Sequence, residues 1–146
     1  MSGSEMIRPA THDDIPALVD IGREFVAMSP HRILGEFDPE AVARMFGFMI
    51  DNPATCVLLT NDCGLIGGIM TGVYFCPTEM MMEELFWFAH KGGRDLLKAF
   101  EKKAREMGAD YIYLSTLENA KADVATRMAQ GMGFQPIERR YMKVLQ

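Results

Sequence analysis

The chain predicts an α/β fold (α+β in some schemes): one mixed, mostly antiparallel, twisted sheet with helices on both faces. Three observations carry that expectation. Short β-rich runs alternate with segments of helical spacing along the whole sequence. An early pair of runs is joined by Asn61-Asp62-Cys63-Gly64, the composition of a hairpin turn. A later run, Met80 to Ala89, passes through Gly92-Gly93 into a helical segment and then to a further β-rich run, Tyr111 to Ser115. That order is a right-handed β-α-β crossover, which makes its two strands parallel.

The elements follow in order. Met6 to Pro9 reads as a first strand. Thr11 can cap a helix whose first turn holds Asp13, Asp14 and Pro16, and Ile15, Leu18, Val19, Gly22, Phe25 and Val26 keep helical spacing. Ser29 to Phe37 reads as a loop. Asp38-Pro39-Glu40 opens a second helix to about Ile50, with Val42, Met45, Phe46 and Met49 on its apolar face, and Asn52-Pro53 ends it. Thr55 to Thr60 and Leu65 to Phe75 are the two arms of the hairpin, with Gly64 expected at the position of positive φ. Gly67, Gly68 and Gly72 in the second arm point to a bulge or a close backbone approach. Pro77-Thr78-Glu79 is expected to turn the chain into the strand Met80 to Ala89. The helix from Arg94 stops at Gly108, a shorter helix runs from about Ala122 to Met132, and Phe134 to Ile137 with Arg140 to Leu145 read as a final hairpin or pair of edge strands.

The 146 residues fit one domain, 1–146, with enough chain for a sizeable core. A hydrophobic fraction of 49% and a charged fraction of 24% are ordinary for a soluble globular protein. The net charge of -5 argues against general nucleic-acid binding and mildly favours a cationic partner such as a polyamine or lysine. No run reaches the length of a membrane span, and the N-terminus lacks the pattern of a secretion signal. Cys56, Cys63 and Cys76 are odd in number and form no CxxC pair, so free thiols in a reducing, cytoplasmic setting are expected. Three scattered histidines complete no metal-ligand spacing, and no metal is expected.

The most informative stretch is Glu84 to Leu97. Glu84 through Ala89 is an apolar and aromatic run suited to a strand buried on both faces. Gly92 and Gly93 allow a sharp turn that exposes main-chain amides, and the helix that follows presents its positive end there. A carboxylate at the strand start can serve as a base, so one segment offers both anion binding and proton transfer. Each feature has a plainer reading: Glu84 as a salt-bridged edge carboxylate, Gly92-Gly93 as an ordinary βα turn, Trp87 and the phenylalanines as core.

These residues resemble the GNAT superfamily of acyl-CoA N-acyltransferases, and short phage-type members especially. The likeness spans nearly the whole chain. Ile7-Arg8-Pro9-Ala10-Thr11-His12-Asp13-Asp14-Ile15 looks like the family's first strand and helix, and Asp62 to Gly68 its second and third strands. Glu84-Leu85-Phe86-Trp87-Phe88 resembles its fourth strand, Gly92 to Leu97 its pyrophosphate loop and helix, and Met132-Gly133-Phe134 its late Gly-Phe signature. The resemblance implies that parallel strands four and five splay apart to admit acetyl-CoA. It implies Glu84 as the base that deprotonates the amine, with neighbouring Glu83 as fallback. It implies main-chain groups near Trp87, Phe88 and His90 for the acetyl and pantetheine, and amides from Lys91, Gly92, Gly93, Arg94 and Asp95 for the pyrophosphate. Asn119 falls where the family often places an asparagine near the thiol. His31 and Arg32 lie in the loop that shapes the family's acceptor pocket, or are simply solvated.

Two departures stand out. The loop is shorter than the family's, and while Gly93 matches its last glycine, Lys91 occupies the place of the earlier one. Ala129 stands where many members carry a tyrosine acid, which leaves Tyr141 as a candidate acid or as a sheet-packing residue. The expectation is an N-acetyltransferase that moves acetyl from acetyl-CoA directly to a primary amine of a small molecule or protein, without a membrane partner. The alternative is a catalytically silent CoA-binding or protein-interaction module. Homodimerisation through the C-terminal strands is plausible for this class.

Overall fold

A computed structural model describes residues 7–118 and 122–145. The elements run β1 (Arg8–Pro9), a 3-10 turn (His12–Asp14), α1 (Ile15–Met28), a second 3-10 turn (Pro30–Leu34), α2 (Pro39–Asp51), β2 (Cys56–Thr60), β3 (Gly64–Val73), β4 (Cys76–Ala89), α3 (Gly93–Glu106), β5 (Tyr111–Tyr113) and α4 (Ala122–Gly131). The five strands form one sheet in the order β1-β2-β3-β4-β5. All pairs are antiparallel except β4 with β5, which are parallel. The expected mixed sheet with helices on both faces is therefore the one the chain adopts.

Local chemistry fixes the entry to the first two helices. Asp14 reaches back to accept the Thr11 amide at 2.7 Å and is gripped by both Arg8 guanidinium nitrogens, at 2.7 and 2.8 Å. That grip holds the Asp14 carboxyl well below the usual carboxylate range. Asp38 caps α2 by accepting the amides of Glu40 and Ala41 at 3.0 and 3.1 Å, and Pro39 fills the first helical position.

The glycine-rich β3 is shaped by what lies against it. The residue with positive φ in the β2–β3 turn is Asp62, at 69°, rather than Gly64. Gly64 is needed for a different reason: a Cβ there would collide with Ala89 and the main chain of Phe88. At Gly67 a Cβ would strike the Phe86 ring, and at Gly68 the Phe100 ring, so both positions accept aromatic rings directly on the backbone. Between them the register slips: Gly67 pairs with Phe86 but Gly68 with Glu84, which leaves Leu85 as the extra residue of a β-bulge. A second shift lies beside the hairpin tip. Val73 pairs with Cys76 and Gly72 with Met80, so Pro77-Thr78-Glu79 bulges out inside β4, while the turn itself is Tyr74-Phe75. The expected turn at Pro77 is thus replaced by a bulge, which tolerates a residue with no N–H to offer the ladder.

Side-chain alternation sorts two cores onto the two faces. Leu18, Val19, Phe46, Met49, Leu58 and Leu65 pack under α1 and α2. Ile66, Met82, Leu96, Leu97, Phe100 and Ala104 pack under α3. Phe134 closes the second core, its amide bonded to the Ala129 carbonyl, so Ala129 is a buried helix-end residue.

The expected final hairpin does not form: residues 134–145 contain no strand. Pro136 removes a main-chain donor, and Glu138, Arg139 and Arg140 interrupt the apolar alternation. The one sheet edge on that side, β5, is three residues long and offers little to pair with. Ile137, Tyr141, Val144 and Leu145 consequently stay exposed.

Candidate active site

β4 and β5 stay paired only from Met81–Tyr111 to Glu83–Tyr113. Beyond that pair the strands part, and Glu84 stands at the fork. Its Oε1 accepts the amide of Ser115 at 2.9 Å, so a side chain takes over where the parallel ladder stops. Only 8% of Glu84 is exposed. Burial pushes its carboxyl up to about 7, against the pull of the Ser115 amide and with added repulsion from Glu83. Glu83 pairs with Ile69, whose side chain packs under α1 and α2, whereas Glu84 lies opposite Gly68, which faces Phe100 of α3. The two carboxylates therefore belong to opposite faces, as strand alternation requires.

The main chain beyond the bulge has an open side. His90 donates its amide to Cys63 at 3.0 Å. In an antiparallel pair this turns the main chain of His90, Phe88 and Phe86 toward β3, and that of Trp87 and Ala89 toward the side β5 has left. Of Trp87, Phe88 and His90, Trp87 is the one whose main chain faces that side. Phe88 instead meets Phe25 of α1, ring centroids 5.7 Å apart, and the His90 ring nitrogen Nε2 lies 2.6 Å from Glu24.

The loop after β4 is pinned by its carbonyls. Asn61 Nδ2 donates to the Lys91 carbonyl at 2.8 Å, and the Trp87 indole donates to the Gly93 carbonyl at 3.0 Å. Gly92, at φ 76°, takes a left-handed conformation that glycine adopts without cost and serves as the N-cap without a capping side chain. The first intrahelical bond runs from the Leu96 amide to Gly92. The amides of Gly93, Arg94 and Asp95 precede it and have no carbonyl within the helix. With the helix dipole behind them, they form a surface suited to an anion. Asp95 opposes that charge from the first turn, and Lys91 and Arg94 flank it.

On the α1/α2 face of β4 lies an open cleft of about 140 Å³, lined among others by Phe25, Phe37, Met45, Leu85 and Phe88. The bulge is what presents Leu85, 48% exposed, to this cleft. His31 and Arg32 do not line it. They sit in the exposed Pro30–Leu34 turn, where the His31 amide donates to Ser29 Oγ and the Arg32 guanidinium to the Ser29 carbonyl. Tyr141 is 87% exposed on the segment after α4 and is not gathered to Glu84. Asn119 lies outside the described residues. Sequence reasoning missed Ser115, Asn61 and the indole of Trp87 as positioning groups. Asn61 alone had a visible signal, as the first residue of the hairpin turn.

No protein-family model and no curated protein matches the sequence. Solved structures do match over nearly its full length. A transcriptional regulator from Bacillus halodurans C-125 superposes with a TM-score of 0.74 at 18% identity, covering 95% of this chain and 98% of that one. AAC(6')-Iy in complex with the bisubstrate analog CoA-S-monomethyl-acetylneamine gives 0.70 at 12% identity, covering 96% and 97%. An acetyltransferase of Trypanosoma brucei gives 0.67 at 12% identity, covering 95% and 98%. At these identities the likeness is one of architecture, and the architecture is shared by many acetyltransferases: the chain has the GNAT fold.

Proposed function

We propose that this protein is an N-acetyltransferase that moves an acetyl group from acetyl-CoA directly to a primary amine, with Glu84 as general base. The observation that carries the reading is the buried Glu84 carboxyl at the β4–β5 fork, with its pKa near neutrality. Such a group takes a proton from an ammonium more readily than an exposed carboxylate does. The residues present fit acetyl-CoA. The uncapped N-terminus of α3, with free amides at Gly93, Arg94 and Asp95, suits a pyrophosphate, and the fork suits an extended pantetheine arm.

Acetyl-CoA supplies an activated thioester, so the chain need not provide a nucleophile of its own. Glu84 removes the proton that the attacking nitrogen must lose. The Trp87 amide, turned to the open side of β4, donates to the developing oxyanion. Ser115 and the bulge at Leu85 hold Glu84 in place. Water protonates the departing thiolate, since Ala129 is apolar and Tyr141 stands in solvent. The complex of AAC(6')-Iy with a CoA-linked bisubstrate analog supports a CoA co-substrate for this fold.

The three free thiols support a cytoplasmic setting, and among the described residues no helix is long and apolar enough to cross a membrane. The exposed apolar side chains of residues 134–145 support a homodimer built on that segment. A second reading, a silent CoA-binding or interaction module, draws on the absent tyrosine acid and on a regulator sharing the fold.

Calorimetric titration with acetyl-CoA, followed by transfer assays on an amine panel with Glu84→Gln beside the wild type, tests the proposal. Binding by both proteins with transfer lost in Glu84→Gln is the expected result. Binding without transfer by either protein supports the silent module, and no binding to the folded wild type overturns both.

A further inference from the structure

We infer that the acceptor is a small primary amine carried on an apolar body, aromatic or branched aliphatic, and not a polyamine. The inference rests on the acetyl-transfer reading above. Its own basis is the cleft between α1, α2 and β4. Every side chain lining it is apolar, Phe25, Phe37, Met45, Leu85, Phe86 and Phe88 among them, and none can ionise. Its volume of about 140 Å³ is that of a single ring or a branched C5 chain. A cavity of ~150 Å³ with similar walls takes up benzene.

The charges around the cleft point the same way. From α1, the Arg23 guanidinium lies 5.0 Å from the centroid of Phe37, a wall of the cleft, and so places a positive charge at its border. Glu24 is paired with His90. Glu83 projects from β4 on the cleft's face without lining it, and Glu84, on the opposite face at the fork where the strands part, is left to receive one nitrogen. A polyamine needs several carboxylates along its length and would have to strip water from its inner ammonium groups against these walls. An amine with one nitrogen and an apolar body does not. The overall charge of -5 favours cations in general, but the cleft is where selection is made.

The geometry also identifies a substitution that tests the cleft without unfolding the protein. Gly22 lines it from within α1, and a Cβ there would meet the Phe37 and Phe46 rings at 3.8 to 3.9 Å, ordinary contact distances. Gly22→Met therefore fits the helix, improves its propensity and extends an apolar chain into the cleft.

The experiment compares 2-phenylethylamine, isopentylamine and spermidine with the wild type and Gly22→Met. Transfer from acetyl-CoA is measured, and so is calorimetric binding of each amine to the CoA-saturated protein. The expected result is a kcat/KM at least roughly tenfold higher for the apolar amines than for spermidine. Gly22→Met should raise KM and Kd for 2-phenylethylamine with acetyl-CoA affinity unchanged. Equal or better use of spermidine overturns the inference and leaves the acetyl-transfer reading intact. So does failure of 2-phenylethylamine to bind. Binding of 2-phenylethylamine that Gly22→Met abolishes, with no transfer to any amine, upholds the cleft's selectivity and overturns the enzymatic reading instead.

Discussion

Replacing Glu84 by glutamine should remove activity and make the folded protein more stable relative to wild type as pH rises. The magnitude follows from the carboxyl's displacement from 4.5 to about 7 on folding. Below about pH 4.5 the group is protonated in both states and contributes nothing to the pH dependence. As pH rises from 4.5 to 7 the unfolded chain releases this proton before the native state does, so stability falls across that window. Above pH 7 the loss is complete. A shift from 4.5 to about 7 corresponds to a loss of about 3 kcal/mol. Glutamine keeps an oxygen for the Ser115 amide and carries no charge, but its NH2 group must find a partner, a cost that does not depend on pH. That cost cancels when the two proteins are compared at two pH values. The stability of Glu84→Gln relative to wild type should therefore be greater at pH 8.5 than at pH 4 by about 3 kcal/mol. Urea unfolding reads this directly, because the single tryptophan, Trp87, sits two strand positions past the bulge and is bonded to Gly93. In the wild type the same carboxyl should give a rate that rises with pH through about 7 as the base loses its proton. A stability difference between the two proteins that is flat from pH 4 to 8.5 would show that Glu84 titrates as a solvated carboxyl and would refute the desolvation argument.

Gly93 is the first residue of α3, where proline's fixed φ is tolerated, so Gly93→Pro removes one amide from the anion surface and crowds the left-handed Gly92 before it. Acetyl-CoA affinity should fall roughly tenfold in a protein that urea unfolding shows to be folded, as calorimetry would read; an unaltered Kd places the pyrophosphate elsewhere. Gly64→Ala forces a methyl group onto Ala89 and the Phe88 carbonyl and should destabilise by about 1–3 kcal/mol, read as a lower urea midpoint. If the proposed homodimer is built on residues 134–145, Tyr141→Asp with Leu145→Asp should convert a dimer to a monomer in light scattering. A wild type that is monomeric at high concentration removes that proposal.

The sheet was legible in the sequence because its signals are local. Hairpin composition, β-branched and aromatic runs and the Gly92-Gly93 punctuation each report on a few adjacent residues, and their order leaves few topologies open. The misread positions are those where tertiary contact decides. Nothing local distinguishes a Gly64 held by positive φ from one held by the approach of Ala89; only the β4 partner does. Pro77 reads as a turn until the register shift beside it is known. The runs Phe134 to Ile137 and Arg140 to Leu145 read as strands by composition, but a strand needs an edge, and a three-residue β5 provides almost none.

The site divides along the same line. Glu84 stands out in the sequence as a carboxylate at the head of an aromatic strand. Its environment does not, because the Ser115 amide comes from 31 residues away and the fork exists only where β5 stops pairing. The apolar cleft is less legible still: its walls come from α1, α2 and β4, and each of those residues, taken alone, reads as core. One register slip ties the two halves together. It places Leu85 beside Glu84 on the same strand while giving the carboxylate to the fork and the leucine to the cleft. Removing the bulged residue would leave Glu84 opposite Gly68 and Phe86 opposite Gly67, so every other side chain of β4 would keep its face and only Leu85 would be lost from the cleft. Glu84 would keep the Ser115 amide at the fork, and the loss would fall on the apolar wall that Leu85 gives the cleft.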